Sequence, residues 1–121
     1  MLTWERLVSE FLTISTDLET AVEDLYEAGH AWAEAENDHR KARARAYVHA
    51  TGKNREERES KADPFFEAER LAAFYAEARK EACLERVRSL RTRMSALQTI
   101  IAARRAEQES TAYNQVGHNQ A

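Results

Sequence analysis

The sequence predicts an all-α protein built as an antiparallel two-helix coiled-coil hairpin. Three observations support this fold class. The chain of 121 residues is 32% charged and has only three glycines and one proline, a composition typical of long helices in a single domain. Apolar residues recur every three to four positions from Trp4 onward. A short glycine-containing turn at residues 51–53 separates this stripe from a second one.

The first predicted helix covers residues 3–50, where the apolar stripe follows the heptad repeat abcdefg. The a positions begin at Trp4 and carry large side chains such as Phe11 and Trp32, whereas the d positions from Ala21 onward carry alanine. Large residues facing small ones let two helices approach closely. Gly29, at an e position, weakens a helix by about 1 kcal/mol relative to alanine, which leaves open whether the helix bends there.

The turn predicts where one helix ends and the next begins. Gly52 suits the left-handed conformation that commonly ends a helix, because it lacks the Cβ atom that disfavours that conformation. Asn54 suits an N-cap, and Glu57 is placed three residues later to complete a capping box. Helices joined by so short a turn are expected to be antiparallel.

The second predicted helix covers residues 54–110, so the hairpin domain is expected to span residues 1–110. Its clearest apolar stripe runs from Cys83 to Ile101. Asp63-Pro64 has the form of an N-cap followed by a proline at the first helical position, so the segment before it is expected to be a separate turn or a kinked start. Residues 111–121 have no periodicity and are predicted to form a flexible tail.

Charges at the g positions predict the register of the hairpin. In an antiparallel coiled coil, g positions face each other. The acids of the first helix then pair with the arginines of the second, Asp17 with Arg86 and Asp24 with Arg79. This register places the fold-back at residues 50–52, where the turn is found independently.

Apolar residues outside the stripe predict self-association. A two-helix hairpin has a thin core, and residues such as Val8, Leu12 and Val22 form a second apolar face. We expect this face to drive assembly into a homodimer of four helices, and a docking face for another protein is the alternative. The candidate residues of a partner or oligomer face are Tyr47, Phe65, Phe66, Leu71, Phe74 and Tyr75.

Nothing in the sequence indicates a catalytic, cofactor or metal site, and we predict a protein that is not an enzyme. The pairs Glu27/His30 and Glu36/His39 have the Glu-x-x-His spacing of dinuclear carboxylate centres, but both lie on one helix. Cys83 falls at a core d position and is predicted to be a buried, inert thiol. The sequence has no glycine-rich phosphate loop and no set of cysteines and histidines at metal-ligand spacing.

Basic residues near the turn form a candidate nucleic-acid interface. With aromatic residues nearby, such a cluster can hold phosphates and stack bases, and a solvated helix surface is the alternative explanation. The net charge of −3 gives no overall preference for nucleic acid or membranes. The candidate residues are Arg40, Lys41, Arg45, Lys53 and Arg55.

Three further features favour a cytoplasmic protein. The chain has one cysteine, which fits a reducing compartment. Its first residues become acidic immediately, unlike a signal peptide, and no apolar run is long enough to cross a bilayer.

Two segments resemble a group of small helical coiled-coil proteins encoded by tailed bacteriophages. The segments are YVHATGKNREERESKA at residues 47–62 and RTRMSALQ at residues 91–98, within a resemblance that spans about residues 40–110. Asp63-Pro64 departs from the uninterrupted helix of that group. The resemblance implies a phage protein in the host cytoplasm, whose genes often lie near those for recombination or single-strand annealing proteins.

These observations lead to one expected function and two alternatives. We expect a non-catalytic interaction protein that assists phage DNA recombination or replication through protein–protein contacts. The first alternative is direct binding of single- or double-stranded DNA through the basic turn end. The second is inhibition of a host defence protein or host enzyme.

Overall fold

The computed structural model describes the backbone of residues 3–119 and the side chains of residues 3–114. Over this range the chain is all-α, without a strand, and contains the two predicted long helices, α1 (Trp4–His49) and α3 (Glu67–Asn119). Between them lie the short helix α2 (Arg55–Ala62) and a 3₁₀ segment (Asp63–Phe66). The predicted all-α class is therefore confirmed. None of the described helices is both long and apolar enough to span a membrane.

Contacts divide the chain into two compact units. Unit 1 contains the chain up to Thr20 and from Val87 onward, and unit 2 contains Ala21–Arg86. The buried core of unit 1 comes from predicted stripe positions of both long helices: Leu7, Ile14, Val87, Leu90 and Leu97. The burial of Leu7 and Ile14 shows that the d positions of α1 face the packed interior of this unit.

Unit 2 uses small residues where unit 1 uses large ones. Three predicted d positions of α1 within this unit, Ala21, Ala28 and Ala42, are buried. The large a-position residue Trp32 is half-buried, with Lys80 Nζ 3.9 Å from its ring centroid. This distance is that of a cation–π contact, which stabilises the charged group over the electron-rich ring face.

The predicted register is wrong by one heptad. Arg86 Nη1 lies 3.8 Å from Asp24 Oδ2, so Asp24 pairs with Arg86 and not with Arg79. The prediction placed the fold-back at residues 50–52, whereas α2 and the 3₁₀ segment occupy residues 55–66 before α3 begins. Since the apolar pattern repeats every seven residues, a shift of one heptad keeps the same faces buried. Cys83, predicted to be buried, is half-buried.

The N-cap at Asn54 is confirmed. Its Oδ1 accepts a hydrogen bond of 2.8 Å from the backbone N–H of Glu57. The carboxylate of Glu57 reaches back as predicted, but Oε2 accepts from the backbone N–H of Lys53 at 3.2 Å, one residue before the N-cap. The two hydrogen bonds give protein acceptors to the backbone N–H groups of Glu57 and Lys53. N–H groups at the start of a helix have no partner within the helix.

The predicted left-handed conformation of Gly52 is wrong, because no glycine in the described range has a positive φ. Glycine is needed at position 52 because the backbone there lies close to Arg58 and leaves little room for a side chain. A Cβ atom at this position would lie 3.0 Å from Arg58 Cγ and 3.1 Å from Arg58 N. At Gly29 the helix α1 continues without interruption.

The start of the second long helix differs from both predicted forms. The segment before Pro64 is a separate helix, neither a turn nor a kinked start of α3, and Asp63 is not an N-cap. Asp63 has helical φ and ψ of −48° and −45°, and its N–H donates to the carbonyl of Glu59. Pro64 therefore lies within the more tightly wound 3₁₀ segment and does not mark the start of α3. Helix α3 ends at Asn119 and not near residue 110, so residues 111–119 of the predicted tail are helical.

Candidate interaction surfaces

An open apolar groove of about 520 Å³ lies in unit 1. Val8 and Leu12 contribute to it from e and b positions of α1, so the apolar arc of this helix extends well beyond its buried d positions. Leu12 is 60% exposed, and the a-position residue Phe11 remains half-buried. The groove is lined by Trp4, Val8, Phe11 and Leu12 from α1 and by Gln98, Ile101, Ala102, Arg105, Ala106 and Glu109 from α3.

The two helices that line this groove carry opposite charges. Residues 1–20 contain four acids and one arginine, whereas residues 87–114 contain five arginines and two glutamates. Glu5 and Glu19 are exposed on α1, and Arg105 lines the groove on α3. The groove is thus bordered by a negative helix on one side and a positive helix on the other.

One buried aromatic residue, Phe66, is the centre of the apolar cluster of unit 2 near the turn. Phe66 is 4% exposed and packs with Ala42 and Ala62. Its ring centroid lies 5.7 Å from that of His39 and 6.4 Å from that of Tyr47. This cluster holds α1 and the 3₁₀ segment together at the turn end of unit 2.

A cavity of about 650 Å³ lies on one side of this cluster. Alanines of α1 and the turn form its apolar part, and Phe65 borders it with 79% of its surface exposed. Both signs of charge are present, because Arg45 and Lys61 line the cavity together with Glu69.

A second groove in unit 2, of about 520 Å³, is rich in arginine. It lies between α1 and α2, and its lining comprises Arg40, Arg43, Ala44, Tyr47, Arg55, Arg58 and Glu59. We call it the arginine groove. All four arginines are exposed.

Neighbouring groups hold three of these arginines in place. Arg55 Nε donates to Glu59 Oε1 at 2.9 Å, and Arg58 Nε donates to the Asn54 carbonyl at 3.3 Å. The guanidinium carbon of Arg43 lies 5.3 Å from the ring centroid of Tyr47. The hydrogen bond with the Tyr47 side chain is the main cause that raises the pKa of Arg43 above its usual value.

The predicted nucleic-acid residues are only partly brought together. Arg40 and Arg55 share the arginine groove, whereas Arg45 lines the larger cavity. Lys41 is exposed on α1, and Lys53 lies in the turn, where its backbone N–H is bound to Glu57.

The predicted candidate set left out two residues of the arginine groove, Arg43 and Arg58, although both belong to the basic cluster around the turn. Each lies three positions after a predicted residue, Arg40 or Arg55. Residues three apart share one face of a helix, so this spacing was the signal that could have found them.

The predicted partner face requires one correction. Phe66 belongs to the core and cannot serve on an exposed face. Tyr47 is half-buried beside it. The remaining predicted residues are exposed: Phe65, Leu71, Phe74 and Tyr75. The rings of Phe74 and Tyr75 meet edge to face, with centroids 6.0 Å apart.

Within the described part of the chain, no three or more histidine, cysteine, aspartate or glutamate side chains are grouped so that they could hold a metal ion. His30 of the first Glu-x-x-His pair faces Glu34, with Nε2 3.4 Å from Oε1. Both side chains are largely exposed, which is typical of a surface contact within one helix.

Comparison of the chain with protein-family models, with curated proteins and with solved structures finds no match.

Proposed function

We propose that the protein is a non-catalytic interaction protein that forms a homodimer through the apolar groove of unit 1. The observation that supports this proposal is the exposure of Val8 and Leu12 beside the half-buried Phe11 in one continuous groove. Full burial of each large apolar side chain in an interface stabilises the dimer by about 1.5–3 kcal/mol. A contiguous apolar surface of this kind on a helix is typical of a protein–protein interface.

The charges beside the groove favour a second copy of the same chain as the occupant. A partner that lies in the groove meets the acidic part of α1 on one side and the arginine-rich part of α3 on the other. A second copy presents the same two surfaces. Under a twofold axis, α1 of each copy lies beside α3 of its partner, so that opposite charges are adjacent on both sides.

The resulting assembly is a four-helix arrangement in this region. Each copy contributes one segment of α1 and one of α3, and the half-buried a-position residue Phe11 becomes part of a common core. Charged pairs at the border of such an interface set the orientation of the partners more than they set the affinity. The affinity of the two copies thus depends on the apolar side chains. Their relative orientation depends on the charges.

The biological role that we propose for this dimer is the one implied by the phage group that residues 47–62 resemble. It is an accessory role in phage DNA recombination or replication, exerted in the host cytoplasm through protein contacts. Inhibition of a host defence protein or host enzyme is the second candidate. It is favoured by the exposed aromatic pair Phe74 and Tyr75 in unit 2, which is available to a different protein.

The dimer is tested by measuring the molar mass of the full chain by sedimentation equilibrium. We expect twice the mass of one chain for the wild type and the mass of a single chain for Leu12→Glu, because a buried carboxylate in the interface opposes association. Thr13→Glu is the matched control. It adds the same charge one residue further along, at an exposed c position that does not line the groove, and is expected to leave the dimer intact.

A second control identifies which apolar surface is used. Phe74→Glu changes an exposed side chain of unit 2 and is expected to leave the mass at that of a dimer. Circular dichroism verifies that every variant keeps its helix content. A wild type that stays monomeric, or a dimer that Phe74→Glu dissociates and Leu12→Glu does not, contradicts the proposal.

A further inference from the structure

We infer that the arginine groove binds the phosphodiester backbone of nucleic acid without regard to base sequence. Arg40 and Arg43 reach the groove from α1, and Arg55 and Arg58 reach it from α2. Two helices therefore place four arginines along one groove. This site is separate from the apolar groove of unit 1 and does not depend on self-association.

The charge of the groove indicates an anionic ligand. Its lining carries four arginines against one carboxylate, Glu59, although the whole chain has a net charge of −3. The positive charge is thus a local feature that the overall composition does not explain. Guanidinium groups present several N–H donors in a planar fork that matches two phosphate oxygens at once.

The contacts of Arg43 and Arg58 orient these side chains without neutralising their charge. Arg58 donates Nε to a backbone carbonyl, which carries no charge. Arg43 lies over the ring of Tyr47, and Arg40 has no carboxylate within ion-pair distance among the described side chains. Only Arg55 is bound to an acid, and the contact with Glu59 uses its Nε, which leaves the terminal nitrogens of the fork available. Side chains fixed in this way lose less conformational freedom when they bind a ligand.

The exposure of the four arginines favours a polymer over a single phosphate group. Each guanidinium is in water, so each phosphate contact contributes little by itself. Affinity then requires several phosphates at once, and release of their counterions makes it strongly dependent on salt. The four arginines lie on two helices and need several phosphates to contact at once. A nucleic-acid strand supplies phosphates at regular spacing and meets this need.

The aromatic residue of the groove does not serve as a stacking platform. Tyr47 is half-buried, and its ring contacts both Phe66 and the guanidinium of Arg43. Bases therefore lack an open aromatic face in this groove, and stacking is the usual source of base contacts with single strands. Binding that contacts only the phosphate backbone of the nucleic acid is expected to be independent of its base sequence.

The test is fluorescence anisotropy of the full chain with labelled single-stranded and double-stranded DNA, at salt concentrations from about 50 to 200 mM. We expect binding whose association constant falls linearly with salt on logarithmic axes. The double variant Arg40→Gln/Arg55→Gln is expected to lower that slope by about two, one for each lost phosphate contact. Arg45→Gln is the control, because it removes one positive charge from α1 at the other cavity, and it is expected to leave the slope unchanged.

A gain-of-binding variant tests the groove without the loss of an arginine. Glu59→Gln releases Arg55 from its carboxylate and removes the only acid of the lining, so we expect tighter binding at every salt concentration, with a salt slope close to that of the wild type because the number of phosphate contacts is unchanged. The exposed contact between these residues within one helix contributes little to folding. Tighter binding by this variant is the result that a purely structural arginine cluster does not produce.

Three outcomes would overturn the inference. The first is a wild type that binds neither form of DNA at the lowest salt concentration. The second is an equal loss of slope per removed arginine for Arg45→Gln and for the double variant, which would indicate diffuse attraction to the whole basic surface. The third is a strong preference for one base sequence. Molar mass is measured for each variant, so that failure here is distinguished from failure of the proposed dimer.

Discussion

Arg86 of α3 pairs with Asp24 of α1, with 3.8 Å between Nη1 and Oδ2. This contact fixes the relative position of the two helices in unit 2, because a shift of one heptad would place Asp17 or Ala31 opposite Arg86. Both side chains are about half exposed, at 56% and 44%, so the pair contributes orientation more than stability. Arg86 is thus the residue at which the register of unit 2 can be tested.

Charge exchange tests this register. Arg86→Glu places two acids side by side and is expected to lower the free energy of unfolding by about 0.2–1 kcal/mol, and Asp24→Arg in the same chain is expected to restore most of that loss. Urea denaturation followed by circular dichroism measures both effects. Asp17→Arg combined with Arg86→Glu is the control, since Asp17 is the partner that an uninterrupted hairpin would require. Restoration by Asp17→Arg and not by Asp24→Arg would contradict the observed register.

Two adjacent phenylalanines are expected to differ sharply in their effect on stability. Phe66 is buried and Phe65 is 79% exposed. Phe66→Ala is expected to lower the free energy of unfolding by about 3 kcal/mol or more, because it removes an aromatic side chain and leaves a cavity. Phe65→Ala is expected to change it by less than about 0.5 kcal/mol. Thermal unfolding of both variants decides the point, and comparable losses would show that both rings are packed.

Gly29 and Gly52 are expected to respond in opposite directions to alanine. At Gly29 a Cβ atom meets nothing within 4 Å, so Gly29→Ala is expected to stabilise α1 by about 1 kcal/mol. At Gly52 the Cβ atom would lie 3.1 Å from the Arg58 backbone nitrogen, and Gly52→Ala is expected to destabilise by about 1–3 kcal/mol. Urea denaturation of the two variants measures both signs. Stabilisation by Gly52→Ala would show that the turn relaxes without strain.

Acid is expected to weaken the turn through Glu57. The backbone N–H of Lys53, and then the ammonium of Lys61, hold the pKa of this carboxyl below its usual value. Because the folded state lowers the pKa, its contribution to stability is present above the unfolded-state pKa and is lost as the pH falls through the folded-state value. Exchange of the Lys53 amide hydrogen should become faster over that acidic range. In Glu57→Gln this protection should no longer depend on the carboxyl titration, whereas Glu56→Gln should behave as the wild type.

The parts of the fold that depend on local pattern could be predicted from the sequence. The d-position stripe of α1 identified Leu7, Ile14, Ala21, Ala28 and Ala42, all of which are buried. These positions follow directly from the helical period. The N-cap at Asn54 also followed from local chemistry, since its side chain needs only a backbone N–H three residues away.

The parts that depend on the length of the connection could not be predicted. The apolar stripe is unchanged by a shift of one heptad, so it could not exclude the pairing of Asp24 with Arg79. The burial of Phe66 and the exposure of Phe65 follow from the 3₁₀ segment, whose tighter winding changes which of two adjacent residues faces α1. The arginine groove likewise needed the placement of α2 beside α1, although the spacing of its arginines was visible.

The two tryptophans of the chain are divided between the units, Trp4 in unit 1 and Trp32 in unit 2. Each unit therefore contains its own fluorescent reporter. In Trp4→Phe, emission comes only from Trp32 beneath Lys80 and follows unfolding of unit 2 alone. In Trp32→Phe, emission comes only from Trp4 in the apolar groove, and it is expected to move to shorter wavelength when a second copy displaces water from that surface. Dilution of the second variant then reports dissociation optically, while the first reports whether unit 2 remains folded as the partner leaves.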